Sequence, residues 1–166
     1  MTIQLPDLRQ AVIAYLNTKV TVDVLDFQVS NPPFLKVGEP FSFTVRVSNA
    51  TTANGGIALT NVRYQVSTSN PEAVKITVPT NGSAIDRHGH PLSASDSVDF
   101  FEFNPAGEDV SYLRRDETDL LAFNARAVGA GSCSIRARIL ADPDINELFP
   151  RNFPSAKDSL SFSVIS

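Results

Sequence analysis

The strongest constraint on this chain is a two-residue alternation of apolar and polar side chains, repeated in run after run. Phe41, Phe43, Val45 and Val47 alternate with Ser42, Thr44, Arg46 and Ser48. Val62, Tyr64 and Val66 alternate with Arg63 and Gln65, and Val74, Ile76 and Val78 with Lys75 and Thr77. Further runs are Leu121 to Ala127, Cys133 to Ile139, and Leu160 to Val164. Val98 to Phe103 is shorter, aromatic, and of uncertain phase. Period two is the mark of a strand with one buried face. A run from Val20 also alternates, but its phase slips at Val24 and Leu25, as in a bulge or a strand that changes sheet. The reading is an all-β chain of about eight strands, which bury their apolar faces most simply as a β-sandwich. A doubly wound α/β fold would need helices between strands, and the connections are too polar and irregular to supply them.

The remaining periodic segment is helical. Leu5, Leu8, Val12, Tyr15 and Leu16 recur at three- and four-residue steps, with Pro6 and Asp7 suited to a helix start. A helix of about three turns is marginal alone, so it docks on its own domain or on a partner, with Leu8 and Val12 on the contact stripe. The expected organisation is a helix over residues 1–19 and a sandwich over residues 20–166. With 166 residues the chain is long enough for one substantial core. Its net charge of −4 argues against nucleic-acid binding. No segment approaches the roughly 20 apolar residues of a membrane span, so no insertion is expected. The first residues show no basic leader before an apolar core, so the chain is expected to be cytoplasmic or exported without one.

The run Leu35 to Asn49, Leu-Lys-Val-Gly-Glu-Pro-Phe-Ser-Phe-Thr-Val-Arg-Val-Ser-Asn, resembles the opening of bacterial immunoglobulin-like and CARDB-type adhesion modules. Phe123 to Ala137, with its Gly129-Ala130-Gly131 turn, resembles their later strand–turn–strand. The resemblance runs from Val20 to Ser166 and implies an immunoglobulin-like β-sandwich, a fold that serves many roles. Such modules usually stand in tandem in exported proteins and lack the initial helix. In immunoglobulin topology Val74 to Val78 would be strand C′, beside C, and Val98 to Phe103 strand D, beside E. The polar stretch Pro79 to Ser97 would then cross the length of the sandwich. Three connections, Asn49 to Ala58, Asn104 to Thr118 and Asp142 to Asp158, would emerge at one end, where binding loops gather.

The loops hold the candidate binding residues. Leu148 to Pro154 carries Phe149, Arg151 and Phe153, which either fold back over a sheet edge or meet a partner. Arg114 and Arg115 lie in a neighbouring loop at the same end. Asp142, Asp144 and Asn146 alternate as oxygen ligands for Ca²⁺ do, but Glu147 and Phe153 stand where an EF-hand needs Gly and Glu. Asp86, His88 and His90 offer a thin metal constellation in a polar loop, and no G-x-S-x-G elbow exposes a serine. Cys133, the one cysteine, is expected to be buried and inert. Arg63, Arg136 and Arg138, with Ser161 and Ser163, would share an outer sheet face, either solvated or open to an acidic or glycan partner. No catalytic residue and no cofactor is expected. The functional expectation is a non-enzymatic protein-interaction or assembly module, self-associating or part of a larger particle. The alternative is a glycan- or Ca²⁺-binding module, which the absence of Trp makes a poor sugar-stacking candidate.

Overall fold

The computed structural model describes residues 5–25, 34–106, 112–145 and 156–166. A helix, α1 (Leu5–Lys19), leads directly into β1 (Val20–Leu25). There follow β2 (Phe34–Lys36), β3 (Pro40–Asn49), β4 (Leu59–Thr68), β5 (Val74–Thr77) and β6 (Gly82–Ile85). The rest are β7 (Pro91–Leu92), β8 (Ser97–Val98), β9 (Phe100–Pro105), β10 (Glu117–Ala127), β11 (Gly131–Pro143) and β12 (Lys157–Ile165). One sheet has the order β1-β3-β10-β5-β8, the other β2-β12-β11-β4-β9-β6-β7. This is the expected immunoglobulin-like β-sandwich.

Four described strands lie beyond the eight the alternation marks: β2, β6, β7 and β8. Each spans two to four residues, too few for a periodicity to be read. The run that follows the phase slip, with Phe27 and Val29, lies outside the described residues. Val20–Leu25 pairs antiparallel with β3 in one sheet, while Phe34–Lys36 pairs parallel with β12 in the other.

The C′ and D assignments are exchanged. Ala125 to Ala127 of β10 pair with Ile76 to Val74, so β5 joins the first sheet, in the place of D. Tyr64 to Ser67 of β4 pair with Phe103 to Phe100, so β9 occupies the place of C′. The reason is the corner after β4. Backbone N–H groups of Ala73 and Val74 both bond to the Asn70 carbonyl, at 3.0 and 3.1 Å. The Asn70 side chain accepts from the Glu72 N–H and donates to the Ser132 carbonyl. This tight corner carries the chain across to the first sheet instead of turning it back beside β4. Residues 79–97 are more than a crossover, since β6 and β7 form a hairpin that extends the second sheet beyond β9.

The core follows the alternation. Phe43, Val45, Val47, Val62, Tyr64, Phe123, Ile135, Ile139, Phe162 and Val164 are buried as expected, and Leu121 is only half-buried. Phe123 lies at the centre. Its ring centroid is 5.6 Å from that of Phe43 on the neighbouring strand, and 5.8 and 6.0 Å from those of Phe101 and Phe103 on the opposite sheet. Cys133 is buried, with its sulfur 2.9 Å from the Thr68 hydroxyl oxygen.

Helix α1 docks on its own sandwich. Leu16 is fully buried, and Val12, Ile13 and Tyr15 pack half-buried against the core. Val12, expected as a contact residue, therefore faces inward; the face left outside is Gln10, Ala11, Ala14, Asn17 and Thr18. No helix among the described residues is long and apolar enough to cross a membrane.

Candidate interaction surface

The strand directions bring α1 and three connections to one end of the sandwich. Val20 pairs with Asn49 where β1 begins and β3 ends, and the Ala50 N–H bonds to the Lys19 carbonyl at 2.9 Å. Glu117, the first residue of β10, pairs with Asn49 from the other side. The described parts of the three loops anticipated at a common end are therefore together, and the helix joins them.

Asn49 holds the first connection in place. It is fully buried, and its Nδ2 donates to the Ile57 carbonyl at 2.8 Å. Its Oδ1 accepts from the Thr51 backbone N–H and lies 2.8 Å from the Thr51 hydroxyl, which in turn accepts from the Ile57 N–H. A buried amide satisfied on both sides is a strong local constraint. Gly56 lies so close to the chain that a Cβ there would sit 2.3 Å from the Thr52 carbonyl oxygen. The second connection is fastened to the first where Leu59 and Leu113 exchange backbone hydrogen bonds of 2.8 and 2.9 Å. The third joins through the Asp144 N–H to the Ala58 carbonyl at 2.8 Å, and through the Tyr112 hydroxyl, which donates to Asp144 Oδ2 at 3.0 Å.

On this platform the turn Arg114-Arg115-Asp116 projects outward, and all three side chains are exposed. Asp116 has φ of 56°, a left-handed conformation that aspartate tolerates better than most residues. The Arg114 guanidinium lies 5.7 Å from the Tyr112 ring centroid and pairs with Glu117, whose Oε2 also accepts the Arg114 backbone N–H. Arg115 forms no ion pair among the described residues. Beneath the turn, Glu117 and Asp119 alternate inward toward the gap between the sheets. Partial burial, and then the Glu117 charge, push the Asp119 carboxyl above its ordinary value. Burial, reinforced by Asp119 and Glu117, pushes the Tyr64 phenol up as well.

The structure brings Arg114 and Arg115 to this end and packs Val12 half-buried against the core. The Leu8 side chain, Phe149, Arg151, Phe153 and Asn146 lie outside the described residues. Asp142 and Asp144 are engaged separately, accepting from Asn61 Nδ2 at 3.2 Å and from Tyr112. No group of three metal-ligating side chains occurs among the described residues. Asp86 accepts the backbone N–H groups of His88 and His90 at 2.8 and 2.9 Å, and these bonds, that of His90 above all, lower its pKa. The His-Gly-His segment is thus the tip of the β6–β7 hairpin. Sequence reasoning missed Tyr112 and the Asn49–Thr51 knot. The signal for the knot was an amide and a hydroxyl at the end of the most regular strand.

No family model matches the chain, and no curated protein does. Solved structures do. A mutant Salmonella alpha-2-macroglobulin is similar over 88% of this chain, at 16% identity and a TM-score of 0.51. The native alpha-2-macroglobulin of E. coli is similar over 89% of this chain, at 14% identity and a TM-score of 0.50. The chain spans only 7% of either of those proteins. The CARDB domain of a Pyrococcus furiosus protein is similar over 89% of this chain and 94% of its own, at 16% identity and a TM-score of 0.48. At such identities the likeness is one of fold, the immunoglobulin-like sandwich that the sequence motifs resemble.

Proposed function

We propose that this chain is a non-enzymatic protein-interaction or assembly module that works through its loop-bearing end. The observation that supports this reading most is the tied platform. Three connections and α1 meet at one end, and hydrogen bonds between the described parts of the loops fix the base of the exposed Arg114-Arg115 turn, with Arg114 over the Tyr112 ring. Loops on a rigid scaffold are where sandwiches bind, and Arg beside an aromatic ring is what interface centres favour. Fixing the base of such a turn also lowers the entropy lost on association.

The reading is tested with a photo-crosslinking amino acid placed at residue 115 and, as a control, at residue 88 on the β6–β7 hairpin. In the source cell, the variant at 115 should give a discrete adduct, with a second copy or another protein, and the variant at 88 should not. No adduct at 115, or equal adducts from both positions, refutes it.

A further inference from the structure

The outer face of the second sheet carries a group of cationic side chains that runs from the middle of β11 to Lys157 at the start of β12. Alternation along β11 turns Arg136 and Arg138 outward on one face. The register sets Arg136 between Ser67 of β4 and Ser159 of β12, and Arg138 between Gln65 and Lys157. Arg138 and Lys157 thus stand opposite each other on neighbouring strands. A cleft of about 500 Å³ opens here, lined by Gln65, Ser67, Phe100, Arg136, Arg138 and Lys157 among others.

Among the described residues, two carboxylates beside it are engaged elsewhere. Glu102 accepts from Gln65 Nε2 at 3.1 Å, and Asp158 turns to the opposite sheet to accept the Val24 N–H at 2.8 Å. Arg136 and Lys157 form no ion pair among the described residues. Phe100 supplies an apolar wall, held from behind by the Arg87 guanidinium 4.7 Å from its ring centroid, and Arg87 is itself paired with Asp99 at 3.0 Å. A chain of net charge −4 therefore carries a cationic, partly apolar cleft on one face.

We infer that this cleft binds an acidic, extended peptide segment of a partner protein. Guanidinium groups recognise carboxylates by paired, charge-assisted hydrogen bonds. Residues two apart on a strand stand about 6.8 Å apart, and so do alternate side chains of an extended peptide. Arg136 and Lys157 stand on neighbouring strands, offset by two residues, so alternate carboxylates of an extended peptide crossing the cleft can reach both, with Phe100 two strands from Arg136 in the same row as an apolar wall. The serines flanking Arg136 are small enough to leave the floor open. The net negative charge of the whole chain disfavours a long polyanion such as nucleic acid, whose charge extends well beyond the cleft.

The test is fluorescence anisotropy with a labelled peptide of alternating Glu and Thr, its Gln-for-Glu counterpart, and a single-stranded oligonucleotide. The acidic peptide should bind saturably, and the neutral one at least ten-fold more weakly. Arg136→Glu with Lys157→Glu should abolish binding, while Arg46→Ala on the other sheet leaves it unchanged. Circular dichroism melts confirm that each variant is folded. Equal binding of acidic and neutral peptides, equal loss in the Arg46 control, or tighter binding of the oligonucleotide overturns the inference.

Discussion

Replacing Phe123 with Ala tests whether the centre of the sandwich is where the alternation and the ring contacts place it. Phe123 is 2% exposed, and its ring touches Phe43 on its own sheet and Phe101 and Phe103 on the other. Truncation removes the transfer free energy of the ring and leaves a void. A buried Phe→Ala change costs about 3–5 kcal/mol. The upper half of that range is expected here, because the walls of the void are rings anchored in both sheets and cannot both move in. At about 2–4 °C per kcal/mol for a domain of this size, Tm should fall by about 8–20 °C.

The chain has no Trp, so far-UV circular dichroism under urea is the suitable readout. The midpoint should fall with an unchanged m-value, the sign of lost stability rather than an altered unfolded state. Leu120→Ala is the internal control. Leu120 precedes Phe123 by three residues on the same strand, points to solvent at 65% exposure, and should change stability by less than about 0.5 kcal/mol. A cycle with Phe43→Ala should show a coupling of about 0.5–1.5 kcal/mol between the two rings. A cost below about 1.5 kcal/mol at Phe123, or an equal cost at Leu120, would refute the packing argument.

Two further outcomes follow from the same geometry. Leu16→Ala should cost about 2–5 kcal/mol in urea unfolding, because Leu16 is fully buried; a change near zero would mean that α1 does not dock on this domain. Partial burial and Glu117 raise the Asp119 pKa, so the folded state holds that proton more tightly than the unfolded chain does. The stability this contributes is present at low pH and is lost as pH rises through the raised value. Asp119→Asn should therefore raise Tm near about pH 7, with the gain shrinking as pH falls through the carboxylate range, and a gain equal at both ends would exclude the cause given.

Which residues face the core was legible in the sequence, because a strand's side-chain period is local: Phe43, Val62, Ile135 and Phe162 could be assigned without knowing any partner strand. The helix was legible for the same reason, and the common end of the three loops followed from counting strand reversals. The partners of each strand were decided by tertiary structure. β5 and β9 exchanged places because a corner at Asn70, closed by contacts with Ser132 on a strand some sixty residues later, carries the chain across the sandwich. The two-residue strands β7 and β8 exist only through their neighbours, since so short a run has no period of its own. The candidate sites divide in the same way. Arg114 and Arg115 could be placed at the loop end by parity, but whether α1 was spent on its own domain depended on the burial of Leu16. The outer arginines were visible as a basic face, yet the cleft needed the register that sets Lys157 opposite Arg138 and Phe100 one strand beyond Ser67. Register is a relation between distant segments, fixed by the packing of whole sheets, and no window of the sequence contains it.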